Sequence, residues 1–180
     1  MRIRRSLLPC LTLVLSACTL NPLRPAVTAE EDPFVLEGRV LEAHNRLAAL
    51  GDDDLVALLT ATLTDRTRIF RQPSHGVYAE YTDATGTVWQ WYRGKASTLR
   101  GTWAVVRHTP RPKVCFRYRE SPPGTVVEYE PEECIEPLEI IVPSDMVDER
   151  PGDPFRLATG DVPYTKSSDD VPRWPAADGH

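Results

Sequence analysis

No stretch of this 180-residue chain stays apolar for the roughly 20 residues that a membrane-spanning helix needs. Histidine is scarce and scattered: His44, His75, His108 and His180 include no pair at metal-site spacing. No serine sits in a Gly-x-Ser-x-Gly elbow, no nucleotide-binding motif stands out, and no internal repeat of useful length is visible. Cysteine is limited to four residues, none of them in the Cys-x-x-Cys arrangement of a redox dithiol. No catalytic residue, metal ligand or cofactor is therefore assigned. Paired carboxylates that meet only in space leave no sequence signal, so a hydrolase stays on the page as the lesser alternative.

What is present begins at the amino terminus. Met1–Arg5 carries three positive charges and no negative one, and an apolar run follows from Ser6 to Ala17. A basic start followed by a short apolar stretch is the pattern of a secretory signal, and Pro9 interrupts the run. Leu15-Ser16-Ala17-Cys18 resembles the lipobox of bacterial lipoproteins. The resemblance implies that residues 1–17 are a signal peptide, that cleavage falls before Cys18, and that Cys18 carries diacylglycerol and usually a further acyl chain such as palmitate. The alternative is an ordinary signal peptide with an incidental cysteine. Two or three acyl chains make release negligible, at about 0.8 kcal/mol for each buried CH₂. Thr19 stands where an aspartate would retain a lipoprotein in the inner membrane of enterobacteria. By that analogy the expected location is the outer membrane, facing the periplasm, with inner-membrane anchoring as the alternative. Arg4-Arg5-Ser6-Leu7-Leu8 also resembles, loosely, a twin-arginine export signal.

Cleavage removes Arg2, Arg4 and Arg5 from 21 basic residues, which leaves 18 against 26 acidic ones, a formal charge of −8. Such a balance argues against nucleic acid and against an electrostatic grip on anionic lipid. The expected partners are the membrane, through the anchor on Cys18, and an envelope protein. With Cys10 in the signal and Cys18 lipidated, Cys115 and Cys134 remain as one pair in an oxidising compartment, and a disulfide is expected; two buried free thiols are the alternative. Closing a loop of about 20 residues contributes roughly 3 kcal/mol.

Along the chain, residues 18–33 read as a lipidated tether, because prolines and polar residues break every apolar period. From Phe34 to Leu50 the period turns helical, with Leu36, Val40, Leu47 and Leu50 near one face. Gly51 is a suitable stop, and Asp52 or Asp53 a suitable cap for a second helix carrying Leu55, Leu58, Leu59 and Leu63. Beyond Thr64 the pattern is β: strands are expected over 67–71, 76–82, 87–93, 98–107, 114–118, 125–129 and 138–142, with Gly86 free to take positive φ in the turn after Asp83. Short strands joined by short turns indicate an antiparallel meander. The expected fold is α+β, an N-terminal helix or helices packed on that meander; a lipocalin-like small β-barrel is the alternative. One domain over 34–160 is followed by an acidic, proline-rich tail over 161–180, expected to be disordered and dispensable, with Trp174 its only large apolar residue after Ser167.

Alternation places Phe116 and Tyr118 toward the core and Cys115, Arg117 and Arg119 on the polar side, so the disulfide reads as a surface staple. Trp89 and Trp91 share one face of their strand, Val88 and Tyr92 the other. The preferred reading is core packing. The functional one makes Trp89, Trp91 and Tyr92 a stacking surface for a ligand or partner. Gly101-Thr102-Trp103, Val114-Cys115-Phe116-Arg117-Tyr118 and Cys134 are similar to small uncharacterised exported proteins of proteobacteria, over about a third of the chain. That resemblance implies fold and location only. A more distant likeness joins the chain to periplasmic lysozyme-inhibitor lipoproteins, whose Ser-Gly-x-x-Tyr element is not matched by Ser74-His75-Gly76-Val77-Tyr78. The functional expectation is a membrane-anchored, non-catalytic binding or scaffolding module of the periplasm, with a small-ligand-binding β domain as alternative.

Overall fold

Leucines at helical spacing open the described part of the chain. The computed structural model describes residues 33–73, 76–92, 95–119, 132–160, 162 and 172–175, and of Pro33, Tyr92 and Arg119 the backbone alone. The signal segment, Cys18, the tether to residue 32, the strand expected over 125–129 and most of 161–180 lie outside it. Helix α1 spans Pro33–Ala49, so Pro33 starts the helix, where its missing N–H costs nothing. Arg111 Nη2 donates to the Leu47 and Leu50 carbonyls at 3.2 and 3.1 Å, satisfying the open end of α1. Helix α2 spans Asp52–Leu63 and buries Leu55, Leu59 and Leu63 at successive turns. Its N-cap is Gly51, with no side-chain cap bond, which corrects the expected Asp52 or Asp53 cap. The three aspartates instead occupy the first turn, where they oppose the helix dipole; Asp53 pairs with Arg107, and Asp52 lies 4.0 Å from Arg111.

Among the described residues seven strands follow: β1 Arg66–Gln72, β2 Gly76–Thr82, β3 Thr87–Tyr92, β4 Leu99–Val106, β5 Lys113–Arg119, β6 Glu133–Ile135 and β7 Met146–Pro151. They form one antiparallel sheet in the order β6-β5-β4-β3-β2-β1-β7. The fold is α+β, and the sheet is curled into a half-barrel whose edge strands are β6 and β7. One bond displays the curl. Tyr118 on β5 donates to Glu80 Oε2 on β2 at 2.6 Å, although β2 and β5 are three strand spacings apart, roughly 14 Å across a flat sheet.

One strand expectation requires correction. Residues 138–142 belong to a single helical turn, α3, Pro137–Ile141, and not to a strand. A short apolar run cannot distinguish the two by pattern, and here Pro137 at the helix start and the packing of Leu138 and Ile141, three apart, on the same apolar cluster favour the turn. The last strand is instead β7, whose Asp148, Glu149, Arg150 and Pro151 give it the charged, proline-ended character of an edge. A 3-10 turn forms over Leu157–Thr159.

Apolar side chains gather on both faces of the sheet. On one, Leu47, Leu55, Leu59 and Leu63 cluster with Val88, Trp103, Val114, Phe116 and Ile140. On the other, Ile69, Val77, Ala79 and Trp91 cluster with Phe155 and Leu157. Trp174, inside the segment expected to be disordered, stacks on Phe155 at 4.7 Å between centroids and donates its indole N–H to Asp148 at 2.5 Å. Pro172–Pro175 is thus placed against the second cluster, because one aromatic ring supplies burial that the surrounding aspartates cannot.

Candidate functional site

On the inward face of the curl, β1 presents Arg68, Phe70 and Gln72, β2 presents Tyr78, Glu80 and Thr82, and the antiparallel register sets Phe70 opposite Tyr78 and Arg68 opposite Glu80. Across the curl, β5 presents Phe116 and Tyr118 and β6 presents Glu133 and Ile135. A cleft of about 710 Å³ opens between these two walls and is closed at one end by α3 and residues 143–145.

Gly101 makes the two walls meet. It pairs with Val88 on one side and Tyr118 on the other, and a Cβ there would lie 2.5 Å from the Arg117 carbonyl oxygen, 3.0 Å from Tyr118 Cδ1 and 3.0 Å from Val88 Cγ1. Without that Cβ, the Tyr118 ring lies over the strand and its hydroxyl reaches Glu80. Gly86 has a different role: at φ 84° it makes the β2–β3 turn, and its carbonyl accepts the Trp103 N–H at 2.8 Å.

The floor of the cleft is a buried polar network. Arg68 Nη2 donates to Glu80 Oε1 at 2.6 Å, with the two side chains 3 and 6% exposed. Tyr118 donates to the other carboxylate oxygen. The charge of Arg68 is thereby matched within the protein, while its Nε lies buried without a hydrogen-bond partner and its guanidinium sits 5.3 Å from the Phe70 ring centre. Burial pushes the Tyr118 phenol well above the ordinary tyrosine range, and the charge and hydrogen bond of Glu80 push it the same way. Tyr78 is also raised, by burial first and then by the negative charges of Glu80, Asp145 and Glu133. Both phenols stay protonated and serve as donors at any physiological pH. Each Glu80 oxygen therefore accepts one hydrogen bond from within the protein, Oε1 from Arg68 and Oε2 from Tyr118.

The walls are aromatic. Phe70 and Tyr78 stack at 4.9 Å with planes 16° apart, and Phe116 and Tyr118 lie parallel within 3° at 6.2 Å. The rim is acidic, with Glu133, Glu139 and Asp145 lining it, and Gln72 Nε2 donates to Asp145 at 2.7 Å. Among the described residues no group of three or more His, Cys, Asp and Glu is arranged to hold a metal ion.

The residues singled out in the sequence lie elsewhere. Trp91 is fully buried in the second cluster; a stacking surface cannot include it. Trp89 is half-buried on the same outward face, stacked on Tyr81 at 5.5 Å, with Arg100 5.9 Å from its ring centre. Tyr81 donates to Asp65 at 3.0 Å, and burial followed by that bond pushes its phenol up to about 12. Tyr92 pairs through its backbone with Tyr78. Neither tryptophan lines the cleft. Cys115 and Cys134 are joined, directly opposite on β5 and β6 with Cα atoms 4.0 Å apart, on the face away from Phe116. Cys18 lies outside the described residues.

Sequence reading missed the cleft, although its signal was available: a charge two residues from an aromatic on one side of each neighbouring strand, Arg68 with Phe70 and Glu80 with Tyr78. Comparison with known proteins adds no assignment, since no protein family, no curated protein and no solved structure matches the chain.

Proposed function

We propose that this chain is an outer-membrane lipoprotein, tethered through Cys18 and facing the periplasm, whose half-barrel holds a small organic ligand without catalysis. One observation carries the ligand reading: a cleft of about 710 Å³, within the range of small-molecule sites, with aromatic walls and a few convergent polar groups. The helices close the apolar half of the inward face and leave the other half to a ligand. A protein-docking platform built on Trp89 and Trp91 is disfavoured by the burial of Trp91. A hydrolase is disfavoured because Glu80 and Asp145 are already held by Arg68, Tyr118 and Gln72. The lipobox and basic leader support the anchor.

Growing cells in labelled palmitate and extracting the chain in mild detergent for native mass spectrometry tests both halves. The wild-type chain should carry label and a co-purifying small molecule. Cys18→Ser should lose the label and keep the occupant. Gln90→Trp, which fills the cleft from β3, should keep label and circular dichroism but lose the occupant. Unchanged labelling in Cys18→Ser would remove the anchor. An empty wild-type chain, or an occupant retained by Gln90→Trp, would remove the ligand site.

A further inference from the structure

We infer that the ligand of this cleft is an organic ammonium compound, a cation with an apolar body; the inference rests on the ligand-binding reading above. The charges do not balance across the site. Among the described residues, Arg68 is the only Lys or Arg in the lining, and it is withdrawn into its bond with Glu80, which leaves Glu133, Glu139 and Asp145 as the net charge of that lining. The nearest cations on β5 are committed away from the rim: Lys113 Nζ pairs with Glu136 at 2.5 Å, and Arg117 Nη2 with Glu132 at 3.5 Å. No basic side chain among the described residues pairs with Glu133 or Glu139, both of which are exposed.

The walls select the same chemistry independently. Two stacked aromatic pairs, Phe70–Tyr78 and Phe116–Tyr118, bound the cleft from opposite ends of the curl. Aromatic faces attract a cation through the ring quadrupole, the more so where water is excluded, and quaternary ammonium heads are held in this way. An anion would meet three carboxylates. A neutral apolar molecule would gain the burial but nothing from the rim.

Choline, its uncharged carbon isostere neohexanol, and the anion tert-butylacetate form the test set, titrated against the full chain in lipid nanodiscs. The ring resonances of Phe70, Tyr78, Phe116 and Tyr118 are followed by NMR. Choline should shift those resonances and bind about tenfold more tightly than neohexanol, and tert-butylacetate should not bind. Glu133→Gln with Glu139→Gln, both at exposed positions, should weaken choline by about tenfold and leave neohexanol unchanged. If neohexanol or tert-butylacetate equals choline, or if the double variant leaves choline unaffected, the cation assignment falls while the ligand site stands. If no probe moves the rings, the assignment also falls, and native mass spectrometry of the extracted chain then decides whether the site falls with it.

Discussion

Arg68 and Glu80 face each other across β1 and β2 at 2.6 Å, almost without solvent. Removing one member of a buried ion pair leaves an uncompensated charge and typically costs about 3–5 kcal/mol, whereas replacing both with apolar groups is often neutral or better. Arg68→Met should therefore lower the urea midpoint steeply, while Arg68→Met combined with Glu80→Met should recover much of the loss. A double variant that loses the sum of the two single losses would show that the two residues are not energetically coupled. The pairing was invisible in the sequence because it depends on register, and register is set by how β1 and β2 align, not by either strand alone. The inward placement of Glu80 beside Tyr78, by contrast, follows from alternation alone. The same rule set Cys115 on the face away from Phe116, but its side chain is buried there and is not on a polar surface.

At the scale of elements, β6 has three residues and lies at an edge, yet it carries Glu133 into the rim. The disulfide from Cys115 to Cys134 compensates for that short length by limiting the unfolded chain, and the 19-residue separation corresponds to roughly 3 kcal/mol. Cys134→Ser should reduce stability by about that amount, and hydrogen exchange should quicken at β6 and the facing part of β5 while β1 to β3 keep their protection. Reducing agent should reproduce the shift in the wild-type chain. An unchanged midpoint under reduction would show that the bond does not stabilise the fold. Cysteine count, with an expected oxidising compartment, was enough to predict this pair. They did not suffice for α3: Leu138-Glu139-Ile140-Ile141-Val142 suits a strand by composition, and only its packing against the helices' cluster makes it a turn of helix.

For the whole molecule, the sheet separates two apolar clusters, and the second depends on chain far along the sequence. Phe155 and Leu157 bury against Trp91, and Trp174 stacks outside Phe155 with Arg150 5.0 Å from its ring centre. Stacking contributes about 0.5–1.5 kcal/mol beyond the area buried, so Trp174→Ala should cost about 1–3 kcal/mol in all. For a chain of this size, at about 2–4 °C for each kcal/mol, the thermal midpoint should fall by roughly 2–12 °C. A midpoint that stays in place would return Pro172–Pro175 to the dispensable tail that its composition suggests.

The sequence alone determined the properties that depend on local order and on counting: two leucine-spaced helices, five strands β1 to β5, the turn at Gly86, and the pairing of Cys115 with Cys134. Helical and strand periods are written into consecutive residues, so they need no knowledge of distant chain. Tertiary structure decided the rest. The cleft exists because the sheet curls far enough for Tyr118 on β5 to reach Glu80 on β2, over a glycine whose lack of a side chain lets the ring pass. Curvature is a sum over seven strands and their twist, and no single strand's sequence carries it. The docking of Trp174 is likewise a long-range event: a tryptophan among prolines and aspartates reads as solvent-exposed until the sheet supplies Phe155 and Asp148 as its neighbours.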